Sequence, residues 1–180
     1  FVDVLNGLNI VPGIKVDTGL IPLLGGGPGE KWCRGLDNLA ERCAGYYEQG
    51  ARFAKWRTAL QINVEEGCPT DLAIEVAAQD LARYARICQE AGLVPIVEPE
   101  IMIDGVHDIQ TSVKVQEQVL TTVYKKILFT APTTPIVDPT LVSLFPHALR
   151  LRGKILLPCH GIFASQRRRG KETLNTSRKR

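Results

Sequence analysis

Three segments of this sequence read as strands, yet each carries charge where a buried strand would be apolar. They are Ile10-Val11-Pro12-Gly13-Ile14-Lys15-Val16-Asp17, Arg52-Phe53-Ala54-Lys55-Trp56-Arg57 and Leu93-Val94-Pro95-Ile96-Val97-Glu98-Pro99-Glu100. They recur about every forty residues. A buried parallel strand is a near-continuous apolar run, and an unpaired buried charge is costly, so Lys15, Lys55 and Glu98 must find partners or face a polar cavity. Taken singly, Lys15 fits a solvated strand-end lysine better than a ligand, Lys55 between Ala54 and Trp56 fits either reading, and Glu98, flanked by Val97 and Pro99, leans toward function. Asp17, Asp37 and Asp104 read as turn or capping residues, and Trp56 as packing.

The elements that must position these residues alternate in type. Leu36, Leu39, Ala40, Cys43, Ala44 and Tyr47 have the spacing of a helix with one buried face over 35–49, stopped by Gly50. A second helix follows Pro69-Thr70 and carries Leu72, Ala73, Val76, Ala77, Leu81, Tyr84, Ala85 and Cys88 on its apolar positions up to Gly92. Beyond the Asp104-Gly105 turn, Ile109, Val113, Val119, Leu120, Val123 and Tyr124 describe a third. Strand and helix in alternation predict an α/β fold with a parallel sheet and right-handed crossovers. Lysines and glutamates at the carboxyl ends of such strands are how a (β/α)8 barrel builds an active site, and a complete barrel needs roughly 250 residues. With 180 residues, opening at Phe1 on the strand-like Phe1-Val2-Asp3-Val4-Leu5, the chain is expected to be a fragment holding three strands, or four with residues 1–5. Gly25-Gly26-Gly27-Pro28-Gly29 lacks the lysine and hydroxyl residue of a phosphate loop and reads as a flexible loop.

Composition is that of an ordinary globular protein, 44% hydrophobic and 23% charged. No apolar run reaches the length of a membrane span and no signal-peptide pattern is present, so no membrane partner is expected. Five cysteines, Cys33, Cys43, Cys68, Cys88 and Cys159, are odd in number and widely spaced, which fits a reducing compartment rather than a disulfide framework or a metal site, with Cys43 and Cys88 as small core residues. His107, His147 and His160 form no ligand cluster and read as surface or structural. Residues 1–126 are assigned to the barrel segment. The stretch 127–180 is expected to be a divergent tail, interrupted by Pro132, Pro135, Pro139, Pro146 and Pro158 and disordered at its basic end. From Leu151 onward it holds nine Lys or Arg against the single acid Glu172, whereas the first 150 residues carry thirteen basic and eighteen acidic side chains, a net −5. The overall +3 therefore belongs to the tail, which has no nucleic-acid motif and supports only generic electrostatic attraction.

Gly13-Ile14-Lys15-Val16-Asp17, Gly35-Leu36-Asp37-x-Leu39, Gly50 through Arg57, Leu81-Ala82-Arg83-Tyr84-Ala85 and Val94 through Glu100 with Asp104-Gly105-x-His107-Asp108 together resemble class I fructose-bisphosphate aldolase over about residues 1–126. The resemblance implies a (β/α)8 barrel that cleaves fructose 1,6-bisphosphate into dihydroxyacetone phosphate and glyceraldehyde 3-phosphate through a lysine Schiff base, without metal or other cofactor. It also implies a phosphosugar substrate and, for a full-length member, a homotetramer. By the same resemblance Lys15 lies near a substrate phosphate, Lys55 binds substrate and handles protons beside the Schiff base, and Arg57 is a phosphate-side cation. Glu98 matches the acid/base and Glu100 its hydrogen-bonding neighbour, so that Glu98, Lys55 and Glu100 are the expected catalytic residues. Such residue types suit the reaction, since phosphates need cations and amine catalysis on a ketone needs an acid/base to lose water from the carbinolamine. Trp32-Cys33 looks more like the plastid branch than the cytosolic one, so a plastid or cytoplasmic location is expected, the plastid slightly favoured.

The family's nucleophile lies in a Leu-Glu-Gly-x-Leu-Leu-Lys-Pro pattern, and this chain lacks it in that form. The nearest stretch, Leu151-Arg152-Gly153-Lys154-Ile155-Leu156-Leu157-Pro158, puts Leu157 at the nucleophile's place. Lys154 lies three residues earlier, an odd offset that in a strand would turn it to the opposite face, about 10 Å away. No Schiff-base lysine is assigned. The later phosphate-binding loops and the first strand's aspartate are also missing, and 127–180 looks like translated intron, a frameshift or a misassembled gene model. The expected function is that of a class I aldolase whose present fragment is inactive. The alternative is a non-catalytic, barrel-derived phosphosugar-binding protein.

Overall fold

In the computed structural model, residues 1–130 are described, and residues 131–180, with the Leu151–Pro158 stretch, Lys154, His147, His160 and Cys159, lie outside them. Lys15, Lys55 and Glu98 sit on three strands, β1 (Gly13–Lys15), β4 (Phe53–Leu60) and β5 (Val94–Ile101), joined in the order β1-β4-β5. All pairing in this sheet is parallel, Gly13 opposite Phe53 and Phe53 opposite Val94. Parallel neighbours need crossovers. Helix α2 (Leu39–Glu48) leads from β1 to β4, α3 (Asp71–Glu90) from β4 to β5, and α4 (Ile109–Thr130) follows β5.

Side-chain alternation decides which residues meet water. Along β4, Ala54, Trp56, Thr58 and Leu60 are buried while Phe53, Lys55, Arg57 and Ala59 are only partly so. Along β5, Pro95, Val97 and Pro99 are buried under the helices. The core forms between this face and α3, whose Ala77, Ala78, Leu81, Tyr84, Ala85 and Cys88 recur at helical spacing. Trp56 is fully buried with its ring 5.4 Å from that of Tyr84, so its packing role is met. The Tyr84 hydroxyl donates to Ala54 O at 2.6 Å, with Ile96 O at 3.2 Å as a second acceptor, tying α3 to both long strands. Cys43 and Cys88 are core residues as expected, their thiols in contact at 3.7 Å. Cys33, Cys43, Cys68 and Cys88 are all unpaired thiols.

Pro95 and Pro99 do not interrupt the ladder. Val94 N donates to Arg52 O at 2.9 Å and Met102 N to Leu60 O at 2.8 Å, so the even-numbered residues of β5 point their N–H groups at β4 and the prolines face the other edge.

Two expectations change, and one element had no signal in the sequence. Residues 1–5 are not a strand: Val2–Gly7 form a short helix, α1, with no fully buried residue, because five residues of mixed apolar character carry no period that separates strand from helix. The helix expected over 35–49 begins at Leu39, since Gly35 (φ 124°) and Asn38 (φ 52°) are in the left-handed region and form a turn. A side chain at Gly35 would also press on Val16 O, Asp17 Cα and Thr18 N, at 3.0–3.2 Å, so glycine lets this turn lie against the end of β1. Finally, a two-stranded antiparallel hairpin, β2 (Leu20–Pro22) with β3 (Lys31–Cys33), fills the connection from β1 to α2.

Candidate active site

The sheet face turned away from the helices carries six charged side chains as three ion pairs. On β4, Lys55 and Arg57 are two residues apart and share this face, as do Glu98 and Glu100 on β5. Lys15 lies opposite Lys55, and Arg57 opposite Glu98. The strands therefore bring Lys15, Lys55, Arg57, Glu98 and Glu100 together on one surface, with Lys15 at the end of β1, Lys55 and Arg57 third and fifth of the eight residues of β4, and Glu98 and Glu100 fifth and seventh of β5.

Each cation has a carboxylate. Lys55 Nζ is 3.0 Å from Glu98 Oε2, and Glu98 is buried to the level of the core. Enclosing a carboxylate is expensive unless a charge accompanies it, and Lys55 is that charge. Arg57 donates to Glu100 through both Nε and Nη2, the latter at 3.0 Å, in a two-point fork. That hydrogen bond pushes the guanidinium above its ordinary value against the opposing effect of partial burial. Glu100 thus bonds to Arg57 rather than to Glu98, where the family resemblance placed its hydrogen bond. Lys15 pairs with Asp17, just past the end of β1.

Asp17 does more than cap a turn. Its Oδ1 accepts from Gly19 N at 3.2 Å, as a turn residue's would, and also from Lys15 Nζ. Its carboxyl is buried beside Cys33, and burial together with the Asp17 charge pushes the Cys33 thiol up to about 12. The Lys15-x-Asp17 spacing already placed the two on one side of an extended chain, and that signal was legible in the sequence.

Glu30 carried no such signal. It is buried at the foot of the hairpin and accepts from Gly27 N, Thr70 N and Thr70 Oγ1, each at 2.7 Å. Burial pushes its carboxyl up, but the bonds from Thr70 and Gly27 outweigh it and hold Glu30 below the usual carboxylate range. Thr70 is also the N-cap of α3, accepting from Ala73 N at 3.2 Å. Gln61 adds a bond to Pro28 O at 2.6 Å. The glycine-rich segment is accordingly not free: the loop after β1 is fastened to the loop after β4.

Among the described residues no group of three or more His, Cys, Asp or Glu could hold a metal ion, and no helix is long and apolar enough to cross a membrane. What the site offers is three cations, each paired with a carboxylate that an anion would have to displace, and an ion pair in which Lys55 Nζ lies 3.0 Å from a Glu98 Oε2 that has no hydrogen-bond partner among the described residues.

Parallel strands alternating with helices, with helices on one face and charge on the other, are the architecture of a segment of a (β/α)8 barrel. The model of the family described as fructose-bisphosphate aldolase class-I matches residues 1–131. Cytosolic fructose-bisphosphate aldolase 6 of Arabidopsis thaliana is 57% identical over 127 residues, which are 71% of this chain and 35% of that protein. Chloroplastic aldolase 2 of the same organism is 58% identical over 123 residues, 68% of this chain and 30% of that protein. The aldolase of Plasmodium falciparum, solved in a ternary complex with TRAP and a small-molecule inhibitor, superposes with a TM-score of 0.66 at 53% identity, covering 70% of this chain and 36% of that one. The chain belongs to the class I fructose-bisphosphate aldolase family. It spans about a third of the length of the relatives it matches.

Proposed function

We propose that this chain carries the phosphosugar-binding and proton-transfer side of a class I fructose-bisphosphate aldolase, a lyase of glycolysis, gluconeogenesis or carbon fixation that works through a lysine Schiff base without a metal. The observation that carries the reading is the Lys55–Glu98 pair, 3.0 Å apart with the carboxylate buried, on a face shared with Lys15 and Arg57. In this role Glu98 and Lys55 exchange the protons that carbinolamine dehydration and carbon–carbon cleavage require, and Lys15 and Arg57 take substrate phosphate. The nucleophilic amine is the missing part. With Leu157 at the position of the family's lysine, the 180-residue chain binds the sugar phosphate but does not cleave it.

Borohydride reduction in the presence of fructose 1,6-bisphosphate tests this directly, because it converts a Schiff base into a stable adduct. No adduct and no release of triose phosphate is the expected outcome. A stoichiometric adduct on Lys154, or turnover, would contradict it. The alternative of a non-catalytic phosphosugar-binding protein is separated by transcript sequence past Tyr124-Lys125: an in-frame Leu-Leu-Lys-Pro segment downstream selects the lyase. Relatives occur in both cytosol and chloroplast at nearly equal identity, so the plastid assignment rests on Trp32-Cys33 alone. A homotetramer remains the proposed assembly of a full-length member.

A further inference from the structure

Lys15, Lys55 and Arg57 face Asp17, Glu98 and Glu100 one for one, so the face carries no net charge. A phosphate dianion arriving there meets cations already neutralised. One carboxylate has to yield, and the surroundings of the three decide which. The Asp17 side chain is 4% exposed and is also held by Gly19 N. The Glu98 side chain is 2% exposed, and parting it from Lys55 would leave a charge enclosed without compensation. Glu100 differs. Its side chain is 31% exposed, its partner Arg57 is 39% exposed, and among the described residues its hydrogen bonds go to Arg57 alone. Of the three pairs this one gives both partners the readiest access to water, so solvent can take over the carboxylate when the pair opens.

We propose that Glu100 is a displaceable counter-anion that occupies the Arg57 fork until a substrate phosphate takes its place, and so sets the affinity of the site. The inference rests on the phosphosugar reading above. The geometry supports the exchange: Glu100 uses Nε and Nη2 of Arg57, the same pair of donors through which a guanidinium grips two phosphate oxygens. A phosphate entering this fork ejects Glu100 toward solvent with no covalent change and leaves the buried Lys55–Glu98 pair intact for proton transfer. Glu100 acts on affinity by competition and is distinct from the acid/base Glu98.

The test is a titration of the full 180-residue chain with inorganic phosphate at low ionic strength, comparing the parent with Glu100→Gln, Arg57→Gln and Glu48→Gln, each checked for native circular dichroism. Glu48 ends α2, at the amino end of the strands, and its replacement makes the same charge change away from the face. Glu100→Gln is expected to bind phosphate about fivefold tighter or more, with Glu48→Gln unchanged and Arg57→Gln weakened. Equal or weaker binding by Glu100→Gln than by the parent would overturn the displacement while leaving phosphate binding itself in place. Tightening of the same size in Glu48→Gln would reduce the effect to net charge and also overturn it. Absence of phosphate binding in every chain, the parent included, would overturn both this inference and the functional reading beneath it.

Discussion

Glu98 is enclosed as completely as the aliphatic core, and Lys55 offsets the cost of enclosing it. Removing the lysine should therefore cost more than removing both charges. Lys55→Met is expected to lower stability by about 2 kcal/mol, below the full penalty of a broken buried pair because Lys55 itself is partly solvated. Lys55→Met with Glu98→Gln should recover most of that loss, since a neutral amide no longer needs the ammonium. Urea unfolding of the two single variants and the double variant closes the cycle, and additive losses would show that the pair is not coupled. Glu30 makes a second residue-scale case. Glu30→Gln would turn an amide N–H₂ toward donors it cannot satisfy, so a loss of about 2 kcal/mol is expected, with faster hydrogen exchange at Gly27 and Thr70. Because its carboxyl is held below the usual range, the Glu30 contribution is present above the ordinary carboxylate pKa and fades as pH falls through its folded value. A parent whose exchange at these two amides is unchanged in acid would count against the role.

Helix α3 spans twenty residues with ten of them buried, and its pattern was plain in the sequence. One of the ten is Asp80. Burial pushes its carboxyl up to about 6, with Arg83 only partly opposing it. Its folded value lies above its ordinary one, so between about 4 and about 6 the folded chain holds a proton that the unfolded chain releases, and stability falls as pH rises through that window. Asp80→Asn should be more stable than the parent at pH 7, by on the order of 2 kcal/mol, and should lose the decline. Chemical denaturation at pH 4 and pH 7 measures both, and equal stability of the two proteins at pH 7 would refute it. The long elements were legible for a physical reason: β4 and β5 set charges against an apolar alternate face, and α3 repeats its apolar positions over several turns. The short ones were not. Three-residue strands such as β2 and β3 hold less than two periods of any pattern, and α1 is equally brief. Lys15, Lys55, Arg57 and Glu98 could be found from their own strands, whereas Glu30 gains its meaning from Thr70, forty residues on, a partner no local pattern announces.

Across the whole molecule, the three-stranded sheet shows how a barrel segment presents its site. Helices cover one face, and among the described residues the other carries six charges in three pairs, the surface at which a phosphosugar would sit. The central claim is that this face is the phosphosugar site. Titrating the isotopically labelled 180-residue chain with fructose 1,6-bisphosphate and following amide and side-chain NMR shifts tests it most directly. Saturable shifts centred on Lys15, Lys55, Arg57, Glu98 and Glu100, with α2 and the outer surface of α3 silent, are the expected result. Shifts confined to the helices, or none at all, would contradict it.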